Sequence, residues 1–204
     1  MAGEVQASRG SACCYTKELV EGRAIVTKLI KTDVTDYLTH IENAEDLLYL
    51  RRPLFDVNMR LFKSSPEYNA LVLSACSYIK AAALTTLRGY KKPHGMSGAN
   101  LAVPWNIVAI VRRRNFTDEY AEAYINPVIV SPDIKTAVVD SNCGSIRLTA
   151  PIKVRRHTCV TVNYYDENGE FRTVVMCRAT GGFTAQHEID HNLGTLITDR
   201  EVNN

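Results

Sequence analysis

Apolar residues recur at helical spacing from Ser65 to about Arg88, where Leu71, Ala75, Ile79 and Ala82 share one face, and this predicts a helix packed on a core. Ser65 suits the cap, Pro66 the first turn and Gly89 the end. From Trp105 onward the pattern changes to short β-rich runs, Ile107 to Val111, Val128 to Val130 and Thr136 to Val139. Val160 to Tyr164 and Phe171 to Met176 flank Asn168-Gly169, a pair that accepts the positive φ angles of a tight hairpin turn. A final helix begins near Gly182 and closes the chain. Upstream, Leu19, Ile25 and Leu29 suit a short helix between Tyr15 and Ile30. Strands followed by one helix rich in polar groups give an α+β class, with several antiparallel β-sheets around the C-terminal helix.

That last helix contains Gln186-His187-Glu188-Ile189-Asp190-His191. Four residues apart on one helical face, His187 and His191 can hold one metal ion, with Glu188 beside them as a proton carrier. A metzincin protease would need a third histidine where the chain has Ile197, and only Gly194 of that extended pattern is present. Other zinc proteases take a downstream glutamate, and only Glu201 could serve before Asn204, so the third ligand is expected upstream. Cys143, in the polar turn Asp140-Ser141-Asn142-Cys143-Gly144-Ser145 after the apolar run Ala137-Val138-Val139, is the best candidate. Two histidines, one thiolate and an open position suit a divalent transition metal and hydrolytic chemistry.

From Ala44 to Arg200 the chain resembles the peptide deformylase family, metal hydrolases that remove the formyl group from the initiator methionine of new polypeptides. The family motif Gln-His-Glu-x-Asp-His-x-x-Gly-x-Leu is matched by Gln186 to His191, Gly194 and Leu196. Asn126-Pro127 and the hairpin around Asn168-Gly169 follow the family order. The motif Glu-Gly-Cys-Leu-Ser aligns with Ser141-Asn142-Cys143-Gly144-Ser145, keeping the cysteine and serine. The motif Gly-x-Gly-Leu-Ala-Ala-x-Gln aligns with Gly98 to Trp105, with Asn100 in place of a glycine and Trp105 in place of the glutamine.

The resemblance implies Cys143, His187 and His191 as ligands of one ion, Fe(II) in many members, with Zn(II) or Ni(II) also accepted. It implies Glu188 as base and then acid, and the Gly144 N–H as a donor to the developing oxyanion. It places Gly98, Asn100, Trp105 and Phe183 at the substrate, with Thr180 beside the methionine pocket or, for Phe183, the core as the alternative. The family glutamine donates to the formyl oxygen. Here the Trp105 indole or, after a one-residue shift, the Asn106 carboxamide would have to do so, or Trp105 fills the groove. The implied partners are an N-formyl-methionyl peptide and, as a candidate, the ribosome. The alternative reading is a deformylase-like paralogue that binds metal or formyl peptide with little or no turnover.

Composition narrows the rest. The 204 residues fit a domain over 44–204 preceded by an extension over 1–43. A hydrophobic content of 46% supports a globular core, and no apolar run approaches a membrane span. A net charge of +2 gives no case for sequence-specific nucleic-acid binding, and Arg112-Arg113-Arg114 reads as a solvated strand end. Six cysteines without an apolar signal segment point away from secretion, to a reducing cytoplasmic or mitochondrial setting, although the acidic residues of the extension are unlike an organellar presequence. Cys76, Cys159 and Cys177 read as small buried hydrophobes, Cys13-Cys14 as incidental, and His94 and His157 as surface residues.

Overall fold

The computed structural model describes residues 42–85, 94–113, 118–146 and 148–202. Helix α1 (Ala44–Leu50) is capped by the Asn43 side chain, and α2 (Met59–Ser64) by Asn58. Helix α3 (Pro66–Leu84) starts as the sequence indicates, with the Ser65 hydroxyl accepting from the Tyr68 N–H and proline in the first turn. Its core face carries Tyr68, Val72, Ala75, Cys76, Ile79, Ala82 and Ala83, whereas Leu71 is only half-buried. The expected extension of this helix to Arg88 and the helix expected over 15–30 lie outside the described residues.

Five strands form one antiparallel sheet in the order β1 (Gly95–Ser97), β2 (Ile107–Arg113), β3 (Glu119–Pro132), β6 (Cys159–Tyr165), β7 (Phe171–Cys177). The two remaining strands, β4 (Thr136–Ser141) and β5 (Ile152–His157), pair with each other. β3 is much longer than the Val128 to Val130 run, and β5 was hidden in an arginine-rich segment whose alternation is polar. The hairpin β6–β7 turns through Asp166 to Gly169, where Gly169 has φ +75°.

Alternation along β2 and β3 sorts the core. Ile107, Ala109, Ala123 and Ile125 face α3, while Val108, Ile110 and Tyr124 face the last helix, α4 (Gly182–Asn192), with Val160, Val162, Met176, Ala185 and Ile189. The central sheet is therefore covered on both faces, which is why β2 reads as an uninterrupted apolar run. A third cluster of Leu50, Ala99, Cys143, Ile146, Val154, Leu196 and Ile197 joins the small sheet to the C-terminal segment.

Three long-range ties fix the frame. Asn126, at φ +52°, accepts from the Val57 N–H at 2.7 Å and donates to the Val57 carbonyl at 2.8 Å, acting as one rung of a strand ladder. Gly194 has φ +77°, and a Cβ there would lie 2.5 Å from the Arg51 carbonyl oxygen. Cys159 and Cys177 stand directly opposite in the β6–β7 register and are joined as a disulfide. This corrects the reading of both as small buried hydrophobes, because pairing register is set by tertiary structure and is invisible in the spacing. Cys76 is a buried free thiol, as expected.

Two stability outcomes follow from these contacts. Gly194→Ala should cost about 1–3 kcal/mol, since it combines left-handed strain with a clash against backbone, and urea unfolding measures it. Trp105 is fully buried with its ring edge-on to Tyr68 at 5.8 Å, so Trp105→Ala should cost about 3–5 kcal/mol by the same measurement.

Candidate metal centre

Helix α4 supplies three of the four chemical side chains. Gly182 begins it where a Cβ would meet the Met176 carbonyl oxygen at 2.5 Å, so the helix enters in close contact with the end of β7. The expected one-face arrangement holds: the rings of His187 and His191 are 4.7 Å apart at 82°, and their Nε2 atoms lie 3.2 Å from each other. The turn after β4 brings Cys143 to the same point, its Sγ 3.2 Å from His191 Nε2. Donor atoms of Cys143, His187 and His191 all lie within 4.8 Å of one another.

Ligand atoms about 2.0–2.3 Å from a tetrahedral ion stand ~3.3–3.6 Å apart, close to the 3.2 Å that separates His191 Nε2 from both Cys143 Sγ and His187 Nε2. The electrostatics fit as well. Burial, His191 and Arg156 hold His187 well below the usual imidazole range, and burial lowers His191 to about 4. Both rings are therefore neutral at pH 7, the form in which imidazole binds metal. Burial pushes the Cys143 thiol up to about 12, opposed by hydrogen bonds from Ser145 and Ile146. Burial also raises Glu188 to about 8, against the pull of Arg156, leaving a carboxyl group able to exchange a proton near neutrality. Gly95 of β1 backs that carboxylate, since a Cβ there would come within 2.9 Å of Glu188 Cγ.

The polar side chains around the ligands hold the helix in place. Gln186 accepts from the His157 N–H at 3.0 Å and donates to the His157 carbonyl at 2.9 Å, stitching α4 to the edge of β5. Asp190 pairs with buried Arg156 and, at 2.8 Å, with Arg200. Asn192 donates to the Ile107 carbonyl at 3.1 Å and to Asn106 Oδ1 at 3.0 Å. None of these partners could be read from the chain, because most lie tens of residues away in sequence and each residue type is common. His157 is half-buried, with its backbone occupied by Gln186 and Nδ1 2.6 Å from the Asp133 carbonyl. His94 is exposed.

The other expected site residues divide. Gly144 is in the turn beside Cys143, half-buried, and its N–H donates to no other described backbone group. Asn100 is buried against the same turn, its Nδ2 2.9 Å from Ser145 Oγ. Phe183 is half-buried under the Arg178 guanidinium, 5.8 Å from its ring centre. The Thr180 hydroxyl accepts from the Cys177 N–H at 2.8 Å, and the Thr180 carbonyl is bound by Arg112. Arg112 also binds Glu122 and Tyr124, and Arg113 pairs with Glu119, so these two are anchored strand residues.

Two expectations are corrected, and a third residue is placed. Trp105 lies in the α3 core against Tyr68, away from any open groove, and its backbone bridges to Phe55. Asn106 has both ends of its carboxamide engaged, donating to Asp56 at 2.9 Å and accepting from Asn192. A shifted donor at Asn106 is thus spoken for. Gly98 closes the turn between β1 and β2, accepting from the Leu101 and Val103 N–H groups, and a Cβ there would meet the Trp105 carbonyl oxygen at 2.6 Å. That close packing makes Gly98 a shaping residue of the loop.

Comparison with known proteins agrees with this geometry. A model of the polypeptide deformylase family matches residues 64–204. The chain belongs to the peptide deformylase family. The peptide deformylase of Pediococcus pentosaceus is 31% identical over 146 residues, 68% of this chain and 78% of that relative. The peptide deformylase of Levilactobacillus brevis is 37% identical over 82 residues, covering 39% of this chain and 44% of that relative. Among solved structures, a probable peptide deformylase from Synechococcus phage S-SSM7 superposes with a TM-score of 0.60 at 16% identity, over 80% of this chain and 97% of that one. Peptide deformylase 1B of Arabidopsis thaliana, in complex with an inhibitor, gives a TM-score of 0.62 at 18% identity, over 81% of each chain. The fold is that of the peptide deformylases, and the protein is a hydrolase of that family.

The Arg156–Asp190 pair has the most exacting balance in this deformylase site. Arg156 is 5% exposed, and its second Nη has no hydrogen-bond partner among the described residues. Arg156→Met should cost about 3–5 kcal/mol by leaving Asp190 with only the solvent-facing Arg200, whereas Arg156→Met combined with Asp190→Leu should recover most of it. Thermal unfolding of the single and double variants measures both.

Proposed function

We propose that this deformylase hydrolyses the N-formyl group of N-formylmethionyl peptides with one divalent transition metal held by Cys143, His187 and His191. The observation that carries the reading is the convergence of three donor atoms within 4.8 Å of one another, with Cys143 Sγ and His187 Nε2 each 3.2 Å from His191 Nε2, beside the buried carboxyl of Glu188. When bound, such an ion lowers the pKa of its water to about 7 and polarises the scissile carbonyl. Iron(II) or zinc suits the mixed imidazole and thiolate set, and nickel is a further option. A peptide deformylase of Acinetobacter baumannii has been solved with Met-Ala-Ser bound, with a TM-score of 0.52 and 19% identity, which makes a methionyl peptide the natural class to test.

The residues of the chain divide the work. Glu188, buried and raised to about 8, takes a proton from the attacking water and returns it to the leaving amine. The Gly144 N–H is available to the oxyanion that develops on the formyl oxygen. Gly95 supports Glu188 from behind, and Phe183 with Thr180 borders the approach to the helix. Neither Trp105 nor Asn106 has a free donor to offer, so the chain acts without the family glutamine. One missing oxyanion donor costs about 100- to 1000-fold in rate, which sets this enzyme below its fully equipped relatives. The proposed setting is the cytoplasm or a mitochondrion, on nascent chains at the ribosome.

The direct test is formate release from formyl-Met-Ala-Ser in a single turnover with iron(II)- or zinc-loaded protein. Release is expected, and Glu188→Gln should lower its rate by about 100- to 10,000-fold while metal content stays at one per chain. Metal analysis should also show that Cys143→Ala, His187→Ala and His191→Ala each lose the ion. A loaded protein that binds the formyl peptide without releasing formate would favour the paralogue reading. Full activity in Glu188→Gln would remove that carboxylate from the mechanism.

A further inference from the structure

Asn100 occupies a position where the family motif has glycine, and it is woven into a directed chain of hydrogen bonds. Its Oδ1 accepts from the Ser97 N–H at 2.9 Å and from the Ser97 hydroxyl at 2.5 Å. A backbone N–H can only donate, so the atom facing it is the amide oxygen and the flip of the carboxamide is settled. Nδ2 must then point the other way, where it lies 2.9 Å from Ser145 Oγ. An amide nitrogen can only donate, so Ser145 is the acceptor there and its single proton is left for another partner. Ser145 is fully buried and Asn100 is 5% exposed, which keeps solvent from competing for that proton. The Cys143 sulfur lies two residues back in the same buried turn, and hydrogen bonding by the Ser145 hydroxyl and N–H and by the Ile146 N–H draws the Cys143 thiol down against the effect of burial.

We propose that Asn100 is a positioning residue that, through Ser145, holds a hydroxyl proton on the Cys143 sulfur and so orients and stabilises that sulfur as a metal ligand. This rests on Cys143 being a ligand of the centre described above. The polarity of the relay runs one way, Ser97 to Asn100 to Ser145 to Cys143 for the protons that matter, except that the middle link is donated by the amide and not by a hydroxyl. Each member has its donors and acceptors assigned by its neighbour. A glycine at position 100 would leave the Ser145 hydroxyl free to rotate. The relay also joins the loop after β1 to the turn after β4, two segments that are 45 residues apart at their contact.

Cobalt(II) is the probe, because a cobalt–thiolate bond has a charge-transfer band whose energy reports hydrogen bonding at sulfur and is insensitive to overall stability. Asn100→Asp is close to isosteric but reverses the link: the carboxylate still accepts from Ser97 and now also takes the Ser145 proton away from Cys143. Cobalt affinity, measured by competition with a chelator, should fall by about 10- to 100-fold, the usual effect of removing an outer partner of a ligand. The band should move to longer wavelength. Ser145→Ala should reproduce both changes, and the two substitutions together should do no more than Ser145→Ala alone. Should Asn100→Asp fail to fold, the smaller change at Ser145 still decides by the band position. An unmoved band in Ser145→Ala, or losses that add in the double variant, would overturn the relay. A cobalt complex of the unmodified protein with no thiolate band would instead remove Cys143 from the centre, and the relay with it.

Discussion

Everything in this fold has to accommodate one buried helix that is polar on its inner faces. Helix α4 buries Gln186, Glu188, Asp190, His191 and Asn192 between the central sheet and the small sheet, and each unpaired polar group there would cost about 1–3 kcal/mol or more. The structure meets the constraint by giving nearly every turn of α4 a partner on a different element. Gln186 holds β5, Asp190 holds Arg156 and Arg200, and Asn192 holds β2 and the residue before it. With the helix fixed on several sides, the two histidines face Cys143 with little freedom to turn away.

The same arrangement explains the altered ionisation at the centre. A helix flanked by apolar clusters desolvates His187, His191, Cys143 and Glu188 together, and Arg156 adds one positive charge to the neighbourhood. Desolvation disfavours every charged form, so neutral imidazoles and a carboxyl group near its midpoint arise from a single cause. A divalent cation is the natural complement to such a site: it supplies the positive charge that a buried thiolate needs. Structural burial and candidate chemistry are therefore consequences of the same packing.

Departures from the family motifs have different physical meanings. Trp105 replaces a small polar donor by a large ring, and the ring leaves the site for the α3 core, where it packs on Tyr68. Asn100 replaces a glycine by an amide, and that amide turns toward the Cys143 loop. Loss of a donor at one position and gain of a strut at another are independent events in the chain. Both residues lie in one loop, folded back by the Gly98 carbonyl, which accepts from the Leu101 and Val103 N–H groups.

Much of the chemistry was legible before the fold. The i, i+4 spacing of His187 and His191 needs only a helix to put both on one face, and the cysteine of the polar Asp140 to Ser145 turn was the best upstream candidate for the third ligand. The α3 helix, the β6–β7 hairpin and the α+β class likewise follow from local periodicity and turn chemistry, which act over a few residues. The sequence by itself did not place Trp105, whose side of the loop depends on the Phe55 bridge and the Tyr68 ring. Nor did it pair Cys159 with Cys177, find β5, or reveal Arg156, Ser145 and Asn192 as supports. Those assignments depend on strand register and on contacts between segments tens of residues apart. Local pattern determines which atoms a turn of helix can present, while only the assembled sheets decide which partner stands opposite.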